Sequence, residues 1–292
     1  VEWINNPNIA PLRPYLKIMR LDNVTGTFLL LWPCLISLGF VSDANTHWSV
    51  FVVFTIGAIV MRSAGCIVND IIDRKYDAQV KRTKDRPLAN GDLKIYEALL
   101  LLFLLLTIAG IILTTLSKTS ILLGLVIIPP IFIYPFMKRI TYWPQIFLAL
   151  TINWGVLIGW AAVMDGITIS AILVYLGCVF WTLGYDTIYA HQDKEDDILI
   201  GIKSTALKFD VYTKKYLYFF YLTTIILFWI VGILQGSGIL FHVLLLLGAF
   251  QLYWQSNTVE LDNADDCMRK FSSNRYFGML IFTGVMLGKI AI

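Results

Sequence analysis

The chain has 292 residues, 58% of them hydrophobic and only 15% charged, with a mean hydropathy of +0.71. Soluble domains carry about 25% charged residues, so the composition excludes an ordinary soluble domain and points to a polytopic membrane protein. The net charge is only +3 and no nucleic-acid partner is expected; four scattered cysteines with no CxxC pair or Cys/His cluster argue against a disulfide framework and a zinc site.

Residues 1–22 read as a cytosolic lead-in with no cleavable signal, ending in an interfacial helix around Tyr15-Leu16-Lys17-Ile18-Met19-Arg20. Nine apolar runs follow, each near the ~20 residues that span a bilayer: 24–41, 48–68, 95–114, 119–136, 143–163, 167–185, 215–234, 238–254 and 276–292. Pro33, Pro129-Pro130 and Gly155 interrupt some of them, and Gly155 and Gly159 have the spacing of a close helix contact. Twenty of the 23 Lys and Arg residues fall in the lead-in or in the loops of one side, and the opposite loops hold only Lys118. This asymmetry places the N-terminus and the 69–94 and 186–214 loops in the cytoplasm and the C-terminus outside. The expected architecture is an all-α membrane protein of nine transmembrane helices around a central cavity, one domain over residues 1–292, with acidic helix ends on the cytoplasmic side.

Those acidic ends are the chain's most informative feature. The second run leads into Asn69, Asp70, Asp73 and Asp77. At ~100° per residue, Asn69, Asp73 and Asp77 share one helical face. The sixth run leads into Asp186, Asp193 and Asp197, with Asp193 and Asp197 again four apart and expected on one helical face. Asp73 and Asp77 match Asp193 and Asp197 at a constant offset of 120 residues, which suggests an internal duplication. Carboxylates on one face repel unless a cation lies among them, and oxygen ligands without His or Cys suit Mg²⁺. Basic residues follow each stretch, Lys81, Arg82, Lys84 and Arg86 after the first and Lys203 after the second. Carboxylates for Mg²⁺ with Lys and Arg around them are what a diphosphate needs. There is no GxxxxGK[ST] loop. Arg62 lies within a span, seven residues before Asn69, and an intramembrane charge of this kind usually faces a cavity. His191 reads as a loop residue, and Asn23-Val24-Thr25 as a chance match to a glycosylation acceptor. A transporter that couples through these carboxylates is the rival class, but coupling sites usually lie near the bilayer midplane rather than at helix ends. Lipid phosphotransferases also carry Asp-x-x-x-Asp on membrane helices, but the Asp-Gly and Ala-Arg elements expected of them are absent around both stretches.

Asn69-Asp70-x-x-Asp73-x-x-x-Asp77 together with Asp193-x-x-x-Asp197 resembles the UbiA superfamily of intramembrane aromatic prenyltransferases. Arg20-Leu21-Asp22, Leu31-Trp32-Pro33, Arg62-Ser63-Ala64-Gly65-Cys66, Arg86-Pro87-Leu88, Tyr134-Pro135-Phe136-Met137-Lys138-Arg139 and Tyr185-Asp186-Thr187-Ile188-Tyr189-Ala190 resemble its 4-hydroxybenzoate branch. These blocks span residues ~13 to ~210, and the last third adds only apolar runs. The branch usually has Lys-Pro-Ile where this chain has Asn23-Val24-Thr25, which removes one cation near the entrance. The resemblance implies Mg²⁺ held by Asn69, Asp73, Asp77, Asp193 and Asp197. It implies a polyprenyl diphosphate contacted by Arg20, Arg62, Asn69, Tyr134 and Lys138, with Lys81, Arg82 and Lys203 as further cations, and 4-hydroxybenzoate as acceptor. Dihydroxynaphthoate, homogentisate and haem are the alternative acceptors within the superfamily. Asp73, Asp77, Asp193 and Asp197 would serve the departure of diphosphate, and Asp186 would activate the phenol. Phe136, Trp160 and Trp181 are candidates to line a tail groove, though packing or lipid contact is the simpler role for each. The implied location is a bacterial cytoplasmic membrane, or a mitochondrial inner membrane, with the tail in contact with lipid and the product entering ubiquinone biosynthesis.

Overall fold

The computed structural model describes residues 4, 6–42 and 48–290, so the last two residues of the ninth apolar run lie outside it. Among the described residues there is no strand. In chain order the helices are α1 (Arg13–Ile18), α2 (Thr25–Val41), α3 (Trp48–Asp77), α4 (Pro87–Asn90), α5 (Ile95–Thr114), α6 (Lys118–Val126), α7 (Ile128–Ile140), α8 (Pro144–Ile152), α9 (Gly155–Met164), α10 (Ile169–Ala190), α11 (Lys194–Ile200), α12 (Thr205–Phe209), α13 (Thr213–Leu234), α14 (Ile239–Thr258) and α15 (Ala264–Ile290). Seven helices or helix pairs among the described residues are long and apolar enough to cross a membrane. The first apolar run forms the shorter α2, and the ninth lies within α15, whose first turn is charged.

Each predicted run therefore has a helix, but two are broken. The fourth run divides into α6 and α7, where Pro129 and Pro130 open the second piece. Proline fits best in a first turn, where its missing N–H would have had no intrahelical partner. The fifth divides into α8 and α9 at Asn153. Asn153 is fully buried, and its side-chain amide donates to Ala149 O at 2.8 Å and Thr182 Oγ1 at 2.7 Å. Irregular backbone at this depth persists only where protein groups satisfy it.

The helices form a closed ring. Going round it, α2 packs on α3, α3 on α5, α5 on α6, the α6–α7 pair on the α8–α9 pair, α8 on α10, α10 on α13, α13 on α14, α14 on α15, and α15 back on α2. Lipid tails are as apolar as leucine, so close approach and polar links hold such helices together. Ser37 Oγ donates to Val156 O at 2.6 Å, joining α2 to α9, and Ser120 Oγ donates to Ile158 O at 2.9 Å, joining α6 to α9. The Gly155–Gly159 spacing does form a close contact: a Cβ at Gly155 would strike Cys34 Sγ on α2. At the ring closure Gly278 of α15 lies against the indole of Trp32, which is stacked on Phe28. The element order after each acidic stretch is the same, a loop with a short helix (α4 or α12) and then a long apolar helix (α5 or α13).

A methyl group at Gly278 would come within 2.7 Å of Trp32 Cβ. Gly278→Ala is expected to destabilise the protein by about 1–3 kcal/mol, read as a lowered thermal midpoint in detergent, whereas Gly110→Ala, which meets nothing within 4 Å, leaves it unchanged or raises it.

Candidate active site

The acidic residues of the first stretch lie on the last two turns of α3 itself, rather than in a loop. This helix runs unbroken for 30 residues because no Pro interrupts it, and it carries the chain's polar end out of its apolar body. Three of its carboxylates are enclosed: Asp70, Asp73 and Asp77 have side-chain exposures of 1%, 0% and 9%. Carboxylates so enclosed need partners, and each has them. Lys138 Nζ lies 2.6 Å from Asp73 Oδ2 and Arg139 Nη2 lies 3.2 Å from Asp73 Oδ1, both from α7. Arg86 Nη1 bridges Asp77 Oδ2 at 2.8 Å and Asp70 Oδ1 at 3.1 Å. Arg20 Nη2 meets both oxygens of Asp70, at 2.7 and 2.8 Å. Arg20 holds a left-handed backbone, φ 57°, and its second anchor is a bond from Nη1 to Lys17 O at 2.9 Å.

The second stretch differs from its expected geometry. Helix α10 ends at Ala190, a tight 3₁₀ turn covers His191–Asp193, and α11 begins at Lys194. Asp193 and Asp197 thus do not share one continuous helical face. Asp193 sits at the N-cap of α11 with φ −107°, outside the helix, and this position presents its carboxylate to Arg82. Arg82 grips it with Nε on Oδ1 at 2.8 Å and Nη2 on Oδ2, and its Nη1 donates to Tyr189 OH at 2.7 Å. Burial works against the Arg82 charge, but Tyr189 and Asp193 outweigh it and hold the guanidinium well above its ordinary pKa.

Two adjoining cavities lie beside these groups. The smaller, about 220 Å³, is lined by Asn69, Lys138, Asp186, Asp193, Asp197 and Lys203, among others. The larger, about 380 Å³, is lined almost wholly by apolar residues of α2, α3 and α5 to α9, and Arg62 is its one charged wall residue. Tyr134 and Leu148 line both, so the two meet there. Arg62 occupies the space left by Gly26, where a Cβ would overlap its guanidinium, and its Nε is buried without a hydrogen-bond partner.

The predicted residues are therefore gathered at one end of the bundle, with exceptions. Lys81 is exposed, and it is its backbone N–H that bonds Asp196, at 3.2 Å. Arg20 is committed to Asp70 and does not line either cavity, because the turn that follows α1 aims it at the side of α3. Lys203 lines the small cavity but spends its ammonium on Ile140 O at 3.0 Å. Phe136 is exposed, whereas Trp160 and Trp181 are fully buried, and none of the three lines the apolar cavity, whose aromatic walls are Phe54, Phe132, Tyr134 and Trp154. Sequence reasoning names Asp70 in the acidic stretch and Arg86 among the cations after it without pairing them, and gives no site role to Arg139 or Tyr189. Arg86 and Arg139 stand in basic runs where spacing does not distinguish them from orientation signals.

Among the described residues no three His, Cys, Asp or Glu side chains are gathered as a metal cluster. The donor set nevertheless fits a hard cation: Asn69, Asp193 and Asp197 present only oxygen and amide donors to the small cavity, and Asn69 and Asp197 spend no side-chain hydrogen bond on the protein.

The model of the UbiA prenyltransferase family matches residues 30–282. This chain belongs to that family. A UbiA-family relative, the mitochondrial 4-hydroxybenzoate polyprenyltransferase of Bos taurus, is 44% identical over 283 residues, 96% of this chain and 76% of the relative. The apo structure of a UbiA homolog from Aeropyrum pernix K1 superposes with a TM-score of 0.78 at 20% identity, over 91% of this chain and 98% of that one. A UbiA homolog from Archaeoglobus fulgidus bound to GPP and Mg²⁺ does so with 0.68 at 18% identity, over 92% and 99%. The ring of helices is the UbiA membrane fold.

Removing Asp70 leaves two guanidinium groups without their shared partner. Asp70→Ala is expected to cost about 2–3 kcal/mol, at or below the lower end of buried-pair losses because both arginines keep some access to water, measured as a fall in the thermal midpoint that Asp85→Ala, at an exposed position, does not reproduce.

Proposed function

We propose that this protein transfers a polyprenyl group from polyprenyl diphosphate to the ring carbon ortho to the hydroxyl of 4-hydroxybenzoate, a Mg²⁺-dependent step of ubiquinone biosynthesis. The observation that carries the reading is the junction at Tyr134, where a charged cavity sized for a small polar group opens onto an apolar cavity suited to a hydrocarbon tail. The 44% identity to a 4-hydroxybenzoate polyprenyltransferase supports the acceptor. The whole chain, residues 1–292, acts as one unit in this reading.

Asn69, Asp193 and Asp197 line the small cavity and would hold Mg²⁺; Asp73 and Asp77 line neither cavity and would join them on release of Lys138, Arg139 and Arg86. Bound there, the ion supplies charge neutralisation for the departing diphosphate. The cations now on these carboxylates, Lys138 and Arg82, stand within reach of the same cavity and would turn to phosphate oxygens. Tyr134 at the junction and Arg62 on the wall of the larger cavity would face the diphosphate from the apolar side, with Lys203 on the wall of the small cavity. Such preorganised charge stabilises a leaving group where water is scarce. The apolar wall keeps water from the allylic cation that results; the electron-rich ring carbon then attacks it, and loss of that carbon's own proton restores the aromatic ring. Asp186 lines the small cavity with no hydrogen bond from the protein and with Arg62 as its charged neighbour, so it is placed to take the phenolic proton. The membrane is proposed to be an inner membrane, bacterial or mitochondrial, with the acidic end on the side that carries the basic loops.

The test is turnover of membrane-bound protein with geranyl diphosphate or a longer donor, 4-hydroxybenzoate and Mg²⁺. A 3-prenylated product that vanishes with EDTA and with Asp73→Ala is expected. Product with dihydroxynaphthoate or homogentisate alone would move the acceptor, and no product with any aromatic acceptor would overturn the reading. Asp186→Asn is expected to lower kcat by about 10²–10⁴-fold with KM for the diphosphate little changed.

A further inference from the structure

Glycine inside a helix is unfavourable relative to alanine, so its presence calls for a reason. Close packing supplies that reason at most helical glycines here. A Cβ at Gly26 would overlap Arg62, at Gly184 Tyr221, at Gly232 Phe241 and at Gly278 Trp32. Among the described helical glycines, only Gly57 and Gly65 of α3 and Gly110 of α5 would meet nothing within 4 Å. All three line the apolar cavity. Their lack of side chain makes no room for a protein neighbour; it makes room inside the cavity.

Their positions divide the cavity by depth. Along α3, Gly65 lies about 6 Å from Asn69 and Gly57 about 18 Å from it, at 1.5 Å per residue. Gly110 lies about 22 Å along α5 from Ile95, in the half of the helix remote from the acidic end, and it is exposed. Arg62, with its buried and unpartnered Nε, lies between Gly57 and Gly65 on α3 and is the cavity's one charged group. A hydrocarbon chain whose charged head rests in the small cavity beside Asn69 would pass Gly65 first and reach Gly57 and Gly110 only if it were long.

We propose that Gly57 and Gly110 are specificity-determining residues for the length of the prenyl donor, leaving an open passage for the distal isoprene units, while Gly65 clears space for the proximal ones. This rests on the prenyl-transfer reading above.

The experiment compares Gly57→Leu and Gly110→Leu with the wild type, using geranyl diphosphate and solanesyl diphosphate with 4-hydroxybenzoate. Both variants should keep kcat/KM for the geranyl donor within about three-fold of wild type and lose about thirty-fold or more with the solanesyl donor, the scale of steric discrimination in an apolar pocket. Gly65→Leu should lose activity with both donors. Equal losses with the two donors in Gly57→Leu and Gly110→Leu, or no loss with the long one, would overturn the assignment. Where leucine unfolds the chain, Gly57→Ala and Gly110→Ala should still lower the solanesyl-to-geranyl ratio, by about three-fold, and an unchanged ratio would count against it. A thermal-shift readout separates this proposal from the reaction itself. If wild type turns over neither donor, the catalytic reading fails, while solanesyl diphosphate should still raise the Tm of wild type and not of Gly110→Leu. Equal shifts in both would overturn the passage.

Discussion

A carboxylate with no access to water must be paired, and at the end of an apolar helix the pairing decides the architecture. Asp73 is such a group, and its partners Lys138 and Arg139 come from α7, so the charge at one helix end fixes where another helix stands. Asp70 extends the same constraint to the lead-in through Arg20, and Arg86 extends it to the 78–86 segment and Asp77. Arg82 closes the circuit to the turn after α10. The acidic end is thus a set of crossed ties between segments far apart in sequence, and the cavity for a charged ligand lies among them.

The same ties set the chemistry that the site can perform. Ion pairs in a partly dry setting are strong but exchangeable when a better-charged partner arrives. A diphosphate with its metal brings both signs of charge, so cations and carboxylates can change partners without either being stranded. The apolar cavity has the opposite character: Arg62, Tyr134 and Thr151 apart, its walls offer nothing to bond with, and shape does most to select what enters.

Much of this was legible in the residues because membrane chains write their polar features sparsely. A run of Asn69, Asp73 and Asp77 at fourfold spacing on an apolar helix has few other readings, and α3 bears them on its final turns. The long apolar runs marked the spans, and Pro129-Pro130 marked one of the two breaks. The other break, at Asn153, was hidden because its cause is a tertiary one: the amide is satisfied by Thr182, 29 residues away. The turn at His191 was equally hidden. Spacing of four is consistent with a helix, but a fork from Arg82 rewards a position outside it. Arg86 and Arg139 carried no distinguishing signal, since a basic residue near a span also serves to set orientation. Phe136, Trp160 and Trp181 illustrate the reverse error, in that aromatic size says nothing about which side of a helix wall it occupies.

The closure of the ring by α15 against α2 bears on how the protein is made. These two helices stand near opposite ends of the chain, yet Gly278 receives Trp32, and Lys289 Nζ donates to Ser42 O at 2.7 Å across 247 positions. During synthesis, α2 enters the bilayer long before its partner exists, and N-terminal segments wait for contacts supplied last. Until α15 emerges, the barrel of helices is an open arc with a notched, glycine-bearing flank turned to lipid. Assembly therefore finishes with the docking of α15, and a ribosome that stalls before α15 emerges leaves an inserted but unsealed ring for membrane quality control to remove.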